Sequence, residues 1–305
     1  MIIKNSKKIS LPQIATATST GVAFFLAITK LIVGIITGSV AVMASAVDSI
    51  LDMFVSIFNM VAVKVSESRA NETFNYGKGK IEGLAALFEG LLIIGSAGFI
   101  FWSAIQKLIH HEQIQEINLA FYVMLLSLII TFGLVLFLNY VAKKTDSLVI
   151  KSDATHYKTD LLTNSSIVIV LILVKITGWY QIDFIVSILI SFYIFKEAIE
   201  LVKDGFLNLL DISLDFQIVE KIKEIIKKEP LVLDYHCLRT RQSGNRNFVD
   251  VHLVLTPDMK LKLAHMIIEN VEKKIRELDK NRVWVINIHA DPYDDSSINK
   301  MQEEC

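Results

Sequence analysis

Residues 83–101 read GLAALFEGLLIIGSAGFIF, an almost uninterrupted apolar run whose one ionisable side chain is Glu89. An α-helix needs about 20 such residues to cross the hydrocarbon core of a bilayer. The run therefore predicts a membrane-spanning helix over residues 81–107. Runs of similar length predict five more, at 14–36, 40–63, 117–141, 152–176 and 182–202.

The composition of the whole chain agrees with a membrane protein. Of its 305 residues 52% are hydrophobic, and the mean hydropathy is +0.48. An ordinary soluble protein of this length is less apolar on average. Residues 1–207 are therefore predicted to form an α-helical polytopic membrane domain with six transmembrane helices.

Basic residues lie at the N-terminus and in every second loop between these helices. Lys8 precedes the first span, Lys80 follows the second, Lys144 follows the fourth and Lys203 follows the sixth. Because cytoplasmic loops are enriched in Lys and Arg, both termini are predicted to face the cytoplasm. The intervening loops, which contain no Lys or Arg, lie around residue 38, at 110–118 and at 178–181.

Residues 208–305 contain no long apolar run and are predicted to form a second, cytoplasmic domain. Amphipathic patterns predict helices at 216–228 and 261–278. Two strand-like runs flank Gly244 and Asn245 as a hairpin, and a last strand covers 283–289. The order α-β-β-α-β predicts a small α+β domain.

Charge and cysteine content exclude two further classes of protein. The 31 basic and 32 acidic residues give a formal net charge of -1, so the chain lacks the basic footprint of a nucleic-acid-binding protein. The two cysteines, Cys237 and Cys305, do not define a disulfide framework.

Four ligand-type side chains lie inside the predicted spans as two pairs of equal spacing. Asp48 and Asp52 belong to the second span, and His156 and Asp160 to the fifth. An i, i+4 spacing puts both members of a pair on one helix face. Three carboxylates and one imidazole match a tetrahedral Zn²⁺ site and also suit Fe²⁺, Co²⁺ or Cd²⁺. The competing interpretation is four separate polar residues, satisfied at helix termini or at the aqueous edge of each span.

Four other polar residues lie within the spans. Asn59 and Asn164 would extend a polar lining along the same two helices, although interhelical hydrogen bonding is the favoured interpretation. For Lys30 and Glu89 we expect snorkelling or a structural ion pair.

The two pairs stand within SAVDSILDMF (45–54) and DATHYKTDLLTN (153–164), and this pattern resembles the cation diffusion facilitator family. The segment LRTRQSG (238–244) is similar to one in its bacterial zinc and ferrous-iron efflux members. The resemblance covers nearly the whole chain. It implies a homodimeric metal–proton antiporter with six spans, a metallochaperone-like cytoplasmic domain and a place in the bacterial inner membrane.

The resemblance also implies a dimetal site in the cytoplasmic domain, which would bind metal and support dimerisation. Each of its histidines, taken singly, is more often a surface or core residue than a ligand. Five matching positions together favour a metal site. The implied ligands are His236, His252, His265, His289 and Asp291.

Relatives carry a further metal site in the loop between the second and third spans. Here Asn71, Phe74 and Lys78 stand at the matching positions. Phe and Lys side chains are not metal ligands, so this loop site is predicted to be absent. Lys80 and Asp211 match residues that relatives pair in an interlock at the dimer interface. Ordinary solvated charge is the alternative for both.

Together these features predict an efflux transporter of zinc or ferrous iron, or of cadmium or cobalt, that works by proton antiport and alternating access. Zinc or ferrous iron is expected both as substrate and as a structural or regulatory ion in the cytoplasmic domain. His156 is the expected coupling residue, because an imidazole titrates near neutral pH. A channel, a membrane-tethered metal sensor and an intramembrane metalloenzyme are the alternatives, although no HExxH motif is present.

Overall fold

The computed structural model describes residues 9–37, 40–110, 118–177, 181–295 and 297. The chain forms two compact units that divide between Phe206 and Leu207. Several predicted features lie outside the described residues: the loops around residue 38, at 111–117 and at 178–180, the N-terminal lysines and Cys305.

The described part of the first unit contains six long helices, one at each predicted span. Four of them are long and apolar enough to cross a membrane, over Leu11–Ile36, Ser45–Ser66, Ile81–Gln106 and Leu125–Thr145. The chain is therefore a multi-pass membrane protein, and the crossing of the other two helices stays a prediction. The helices are α1 (Leu11–Thr37), α2 (Val40–Ser66), α3 (Ile81–His110), α4 (Asn118–Thr145), α5 (Leu148–Thr177) and α6 (Gln181–Leu209).

Aliphatic side chains fill the interior of this unit. One core cluster centres on Leu138, Val141 and Ile150, at the contact of α4 with α5. On the outside, large side chains such as Phe54 and Phe132 are exposed. An exposed apolar surface of this kind suits contact with lipid.

α3 and α6 approach so closely that only glycine fits at their crossing. A Cβ atom on Gly205 would lie 2.7 Å from the carbonyl oxygen of Gly83 and 2.8 Å from the backbone nitrogen of Leu87. A Cβ atom on Gly90 would lie 2.7 Å from a methyl carbon of Val202. Small residues allow membrane helices to pack backbone against backbone, which explains the glycines on both helices.

Glu67 ties the end of α2 to the start of α1. Its carboxylate accepts hydrogen bonds from Ser10 Oγ at 2.7 Å and from Gln13 Nε2 at 2.8 Å. Burial raises the pKa of the Glu67 carboxyl above its ordinary value, although both hydrogen bonds act in the opposite direction.

The second unit has the predicted α-β-β-α-β order. Strands β1 and β2 are antiparallel and joined by a tight turn at Gly244, whose φ is 59°. Strands β2 and β3 are parallel, with a helix as the crossover, so β2 is central in the sheet. The elements are α7 (Phe216–Lys227), β1 (Asp234–Ser243), β2 (Arg246–Val254), α8 (Leu261–Arg276) and β3 (Val283–Asp291).

Helices α7 and α8 cover one face of this sheet. Ile222 of α7 and Val271 of α8 are fully buried against Val251 and Leu253 of β2. Because side chains alternate between the two faces of a strand, His252 points to the face that these helices leave uncovered. The second predicted metal site lies on that face.

Candidate metal sites

Three of the four intramembrane ligand candidates meet between α2 and α5. His156 Nε2 lies 3.2 Å from Asp52 Oδ1 and 3.7 Å from Asp160 Oδ2. One ligand atom from each residue lies within 4.8 Å of the other two. A single ion between them can contact all three.

Asp48, the fourth candidate, stays outside this group of atoms and is exposed one turn earlier on α2. The buried hydroxyl of Ser49 accepts a hydrogen bond from Lys30 Nζ of α1 at 2.8 Å. Asp48, Asp52 and Asp160 are the charged neighbours of Lys30, which is only 9% exposed. Lys30 therefore does not snorkel to the surface but places a positive charge beside the carboxylates.

Asn59 of α2 connects its own helix with α3 and α5. Its Nδ2 donates to Glu89 Oε2 on α3 at 3.0 Å and to Asp153 Oδ1 on α5 at 3.2 Å. The interhelical hydrogen bonding expected of Asn59 is confirmed. Glu89 does not snorkel, because its carboxylate is 1% exposed and accepts from the Asn59 amide; the structural ion pair expected of it stays a prediction. Asn164 is exposed on α5.

Histidines from all three strands form a row across the uncovered face of the sheet in the second unit. In the strand register His236 stands opposite His252, and His252 stands beside His289. The ring centroids are 5.0 Å apart for the first pair and 4.7 Å apart for the second. The sheet thus brings together three of the five residues predicted for the cytoplasmic site.

Asp291, at the end of β3, is the carboxylate that connects this row. Its Oδ2 lies 3.2 Å from His236 Nε2 and 3.0 Å from His252 Nδ1, and its Oδ1 lies 3.0 Å from His289 Nε2. The side chain is 5% exposed. A buried carboxylate among three imidazoles either holds a ligand histidine in position or binds the metal itself.

Asp295 adds a second carboxylate, which the sequence pattern does not predict. Its Oδ1 lies 3.2 Å from His236 Nε2, and His236, His252, Asp291 and Asp295 each offer a ligand atom within 4.8 Å of the others. His236 Nε2 is buried and makes no hydrogen bond within the described part of the chain, although two carboxylate oxygens lie at 3.2 Å. A nitrogen so placed fits a metal ion shared with both carboxylates, in a four-ligand set typical of zinc.

The structure does not bring His265 to this group within one chain. His265 lies on α8, is exposed, and has Glu269 Oε1 at 3.5 Å from its Nε2. Its role as a ligand stays a prediction. Cys237 stands at the bulge of β1 with a φ of 53°, and its Sγ lies 3.3 Å from His236 Nδ1.

Comparisons with known proteins identify the family to which both units belong. Residues 17–210 match the cation efflux transmembrane domain, and residues 214–293 match the cytoplasmic domain of cation efflux proteins. The chain belongs to the cation efflux family. This match confirms the family resemblance that the sequence analysis based on the paired ligands. A cation efflux protein is a transporter rather than an enzyme.

Two relatives match along most of their length. The cation-efflux pump FieF of Klebsiella pneumoniae is 34% identical over 278 residues, which are 91% of this chain and 92% of the relative. That of Shewanella oneidensis is 32% identical over 280 residues, or 92% and 94%. The metal-bound C-terminal domain of the CzcD transporter from Thermotoga maritima is 21% identical and covers 25% of this chain and 87% of its own. Its TM-score of 0.24 carries no conclusion.

In this cation efflux protein a hydrogen bond and a cation–π contact connect residues of the loop after α2. Asn71 Oδ1 accepts a hydrogen bond from the backbone nitrogen of Phe74 at 2.7 Å, and Lys78 Nζ lies 4.6 Å from the centroid of the Phe74 ring. The three residues thus form a turn and a cation–π contact. That no metal binds here stays a prediction.

Asp211 has a partner within the second unit. Its Oδ1 accepts a hydrogen bond from Arg241 Nη1 at 3.0 Å, and the Arg241 guanidinium stacks 4.1 Å from the ring centroid of Phe248. Arg241 belongs to the segment LRTRQSG. The interlock of Asp211 with Lys80 stays a prediction.

Proposed function

We propose that this protein exports a divalent transition-metal ion from the bacterial cytoplasm in exchange for protons, by alternating access. Zinc and ferrous iron are the proposed substrates, with cadmium and cobalt as further candidates. The observation that carries the proposal is the convergence of Asp52, His156 and Asp160 from two helices of the membrane unit. Relatives named as cation-efflux pumps support the direction of transport.

The ligand types support a transition metal over a hard cation. An imidazole beside carboxylates suits zinc or ferrous iron, whereas magnesium and calcium prefer oxygen ligands throughout. Asp48 is assigned as the fourth ligand, because its i, i+4 spacing places it on the same face of α2 as Asp52. The ion would then replace Lys30 as the positive charge facing these carboxylates.

Proton exchange follows from competition at the same atoms. Carboxylates and imidazole bind a metal only after they have lost their protons. Protons that enter from the outside therefore displace the ion, and the proton gradient drives its release. His156 is the proposed coupling residue, because an imidazole ordinarily titrates near neutral pH.

A second, resident ion is proposed on the sheet of the second unit. Its ligands are His236, His252, Asp291 and Asp295, and Asp291 connects it to His289. We assign it a structural or regulatory role in a homodimer, in which the ion favours one arrangement of the two copies. Both termini are proposed to face the cytoplasm, with six helices crossing the inner membrane and its lipid.

Metal flux into proteoliposomes tests the transport proposal. Zinc, ferrous iron and manganese are compared with and without a pH gradient. Asp160→Ala is expected to abolish gradient-driven zinc or iron flux, whereas Asn164→Ala, on the same helix and exposed, keeps it. Flux that survives Asp160→Ala contradicts the assigned site. Flux independent of the gradient indicates a channel, and metal binding without flux indicates a sensor.

A further inference from the structure

The buried group formed by Glu89, Asn59 and Asp153 lies apart from the transport site on the same helices. Asn59 follows Asp52 by seven residues on α2, about 10 Å along the helix axis. Asp153 precedes His156 by three residues on α5. Glu89 comes from α3, which contributes no residue to the transport group. These three side chains are each at most 1% exposed.

This group has more hydrogen-bond acceptors than donors. The Asn59 amide directs both of its hydrogens to the carboxylates, one to Glu89 Oε2 and one to Asp153 Oδ1. Glu89 Oε1, Asp153 Oδ2 and Asn59 Oδ1 are buried without a hydrogen-bond partner among the residues that the structure describes. The hydroxyls of Ser152 and Ser19 lie within reach of Glu89 and Asp153, respectively, and each also has a backbone carbonyl as acceptor. Buried polar atoms are normally satisfied, yet even with both hydroxyls turned to the carboxylates the five acceptor oxygens of the group meet only four donor hydrogens.

A single proton on this group would supply a missing hydrogen-bond donor and would remove one of its two negative charges. Two ionised carboxylates on one amide would place like charges together in a medium of low dielectric constant, at high energetic cost. A proton on Glu89 removes one charge and adds a donor to a group that lacks one, while Asn59 Nδ2 donates to Glu89 Oε2. A metal ion fits less well, because the positive end of the Asn59 amide already faces both carboxylates.

We propose that Glu89, with Asn59 and Asp153, is a proton-binding site separate from the transport site, and that its proton is one of those exchanged for metal. The charged or titratable groups that face Glu89 are Asp153 and His156, both on α5. A divalent ion at the transport site adds positive charge near this group, which weakens the hold of Glu89 on its proton. Release of the ion restores the affinity of Glu89 for its proton. The exchange half of this proposal rests on the proposed antiport, whereas the proton-binding half does not.

Infrared difference spectroscopy of the full-length protein in lipid tests the proton directly. The wild type is expected to show the carbonyl band of a buried carboxylic acid, which shifts in D₂O and weakens when zinc is added. Glu89→Gln places an amide N–H where the acid O–H stood, so it should fold and lose this band. Glu197→Gln is the matched control, because this carboxylate faces Lys158 Nζ at 3.1 Å, and it should keep the band.

Proton and zinc fluxes measured in the same proteoliposomes test the exchange. Glu89→Gln is expected to carry one proton fewer per zinc ion than the wild type. An equal ratio overturns the exchange half, and absence of any proton flux in the wild type refutes the antiport while the infrared result still decides the proton site.

Two outcomes, one infrared and one in thermal stability, overturn the proton site. One is an acid band that persists unchanged in Glu89→Gln or is absent from the wild type between about pH 5 and pH 8. The other is sodium-dependent thermal stabilisation that Glu89→Gln abolishes, since it would assign a metal cation to the group. If Glu89→Gln does not fold, Glu89→Asp decides, because a retained but repositioned acid should move the band and an unmoved band contradicts the proposal.

Discussion

Replacing Asp295 by Asn tests the metal centre proposed in the second unit. Asp295 is the one proposed ligand of this centre that the sequence pattern does not predict. The substitution keeps the size of the side chain and removes its negative charge. Asp295 Oδ1 lies 3.2 Å from His236 Nε2, and the side chain is 25% exposed. Water can therefore reach the position that the carboxylate leaves.

We expect Asp295→Asn to weaken zinc binding by about 10- to 100-fold, or about 1.4–2.8 kcal/mol. The smaller figure is the effect of losing a group that only orients a ligand, and a direct ligand contributes at least as much. The larger figure is an upper limit because His236, His252 and Asp291 remain and water can complete the coordination shell.

Competition with a chromophoric zinc chelator measures this loss in the full-length protein, in an Asp160→Asn background that weakens the transport site. Asp294→Asn is the control, because Asp294 is exposed, stands next to Asp295 and loses the same charge. Equal affinity of the two variants would refute the reasoning, since net charge alone would then explain the effect.

Two further substitutions test the packing and charge of the membrane unit. Lys30→Met removes the positive charge beside the transport carboxylates, so zinc should bind there about tenfold more tightly, an effect of about 1.4 kcal/mol. Lys158→Met is the control. Unchanged affinity of Lys30→Met in zinc titrations would contradict the placement of Lys30 beside the carboxylates. Gly205→Ala should destabilise the protein by about 1–3 kcal/mol, because its Cβ meets the Gly83 carbonyl oxygen at 2.7 Å. Gly95→Ala, with nothing within 4 Å, should keep the thermal midpoint in detergent, and equal midpoints would refute the close crossing of α3 and α6.

The helices and the paired ligands are predictable from sequence for one physical reason, which is that both depend on spacing along a single helix. A bilayer sets the length of an apolar run, and the helix repeat puts His156 and Asp160 on one face. The exposure of Asp48 and the burial of Lys30 are not predictable in this way. They depend on which face of α2 meets α1, which only packing decides.

The site on the sheet is predictable in part. The turn at Gly244 sets the hairpin register that pairs His236 with His252, even though a bulge follows His236. Asp295 stands beyond the end of β3, in a segment without a periodic pattern, so no spacing rule connects it to the row. His265 has the right residue type, yet α8 covers the opposite face of the sheet and keeps it away.

Glu82 and Glu89 show why residue type alone does not assign a buried carboxylate. They lie seven residues apart on α3 and are 5% and 1% exposed. Glu82 accepts hydrogen bonds from Ser66 Oγ at 3.0 Å, Ser147 Oγ at 2.8 Å and the backbone nitrogen of Leu148 at 3.1 Å. Its negative charge is solvated by protein donors at the ends of α2 and α5, so Glu82 fastens these helices together without needing a proton.

Glu89, two turns further along the same helix, accepts a hydrogen bond from an amide that it shares with a second carboxylate and has the Ser152 hydroxyl beside it. The position of a glutamate along α3 therefore decides its role, because the groups that α2 and α5 present change from one turn to the next. Where α2 and α5 offer hydroxyl and backbone donors, a glutamate is a structural link. Where an amide and a second acid meet the same type of residue, the proposed proton balances the charge, and a proton held in this way can be released when the charge on the neighbouring transport site changes.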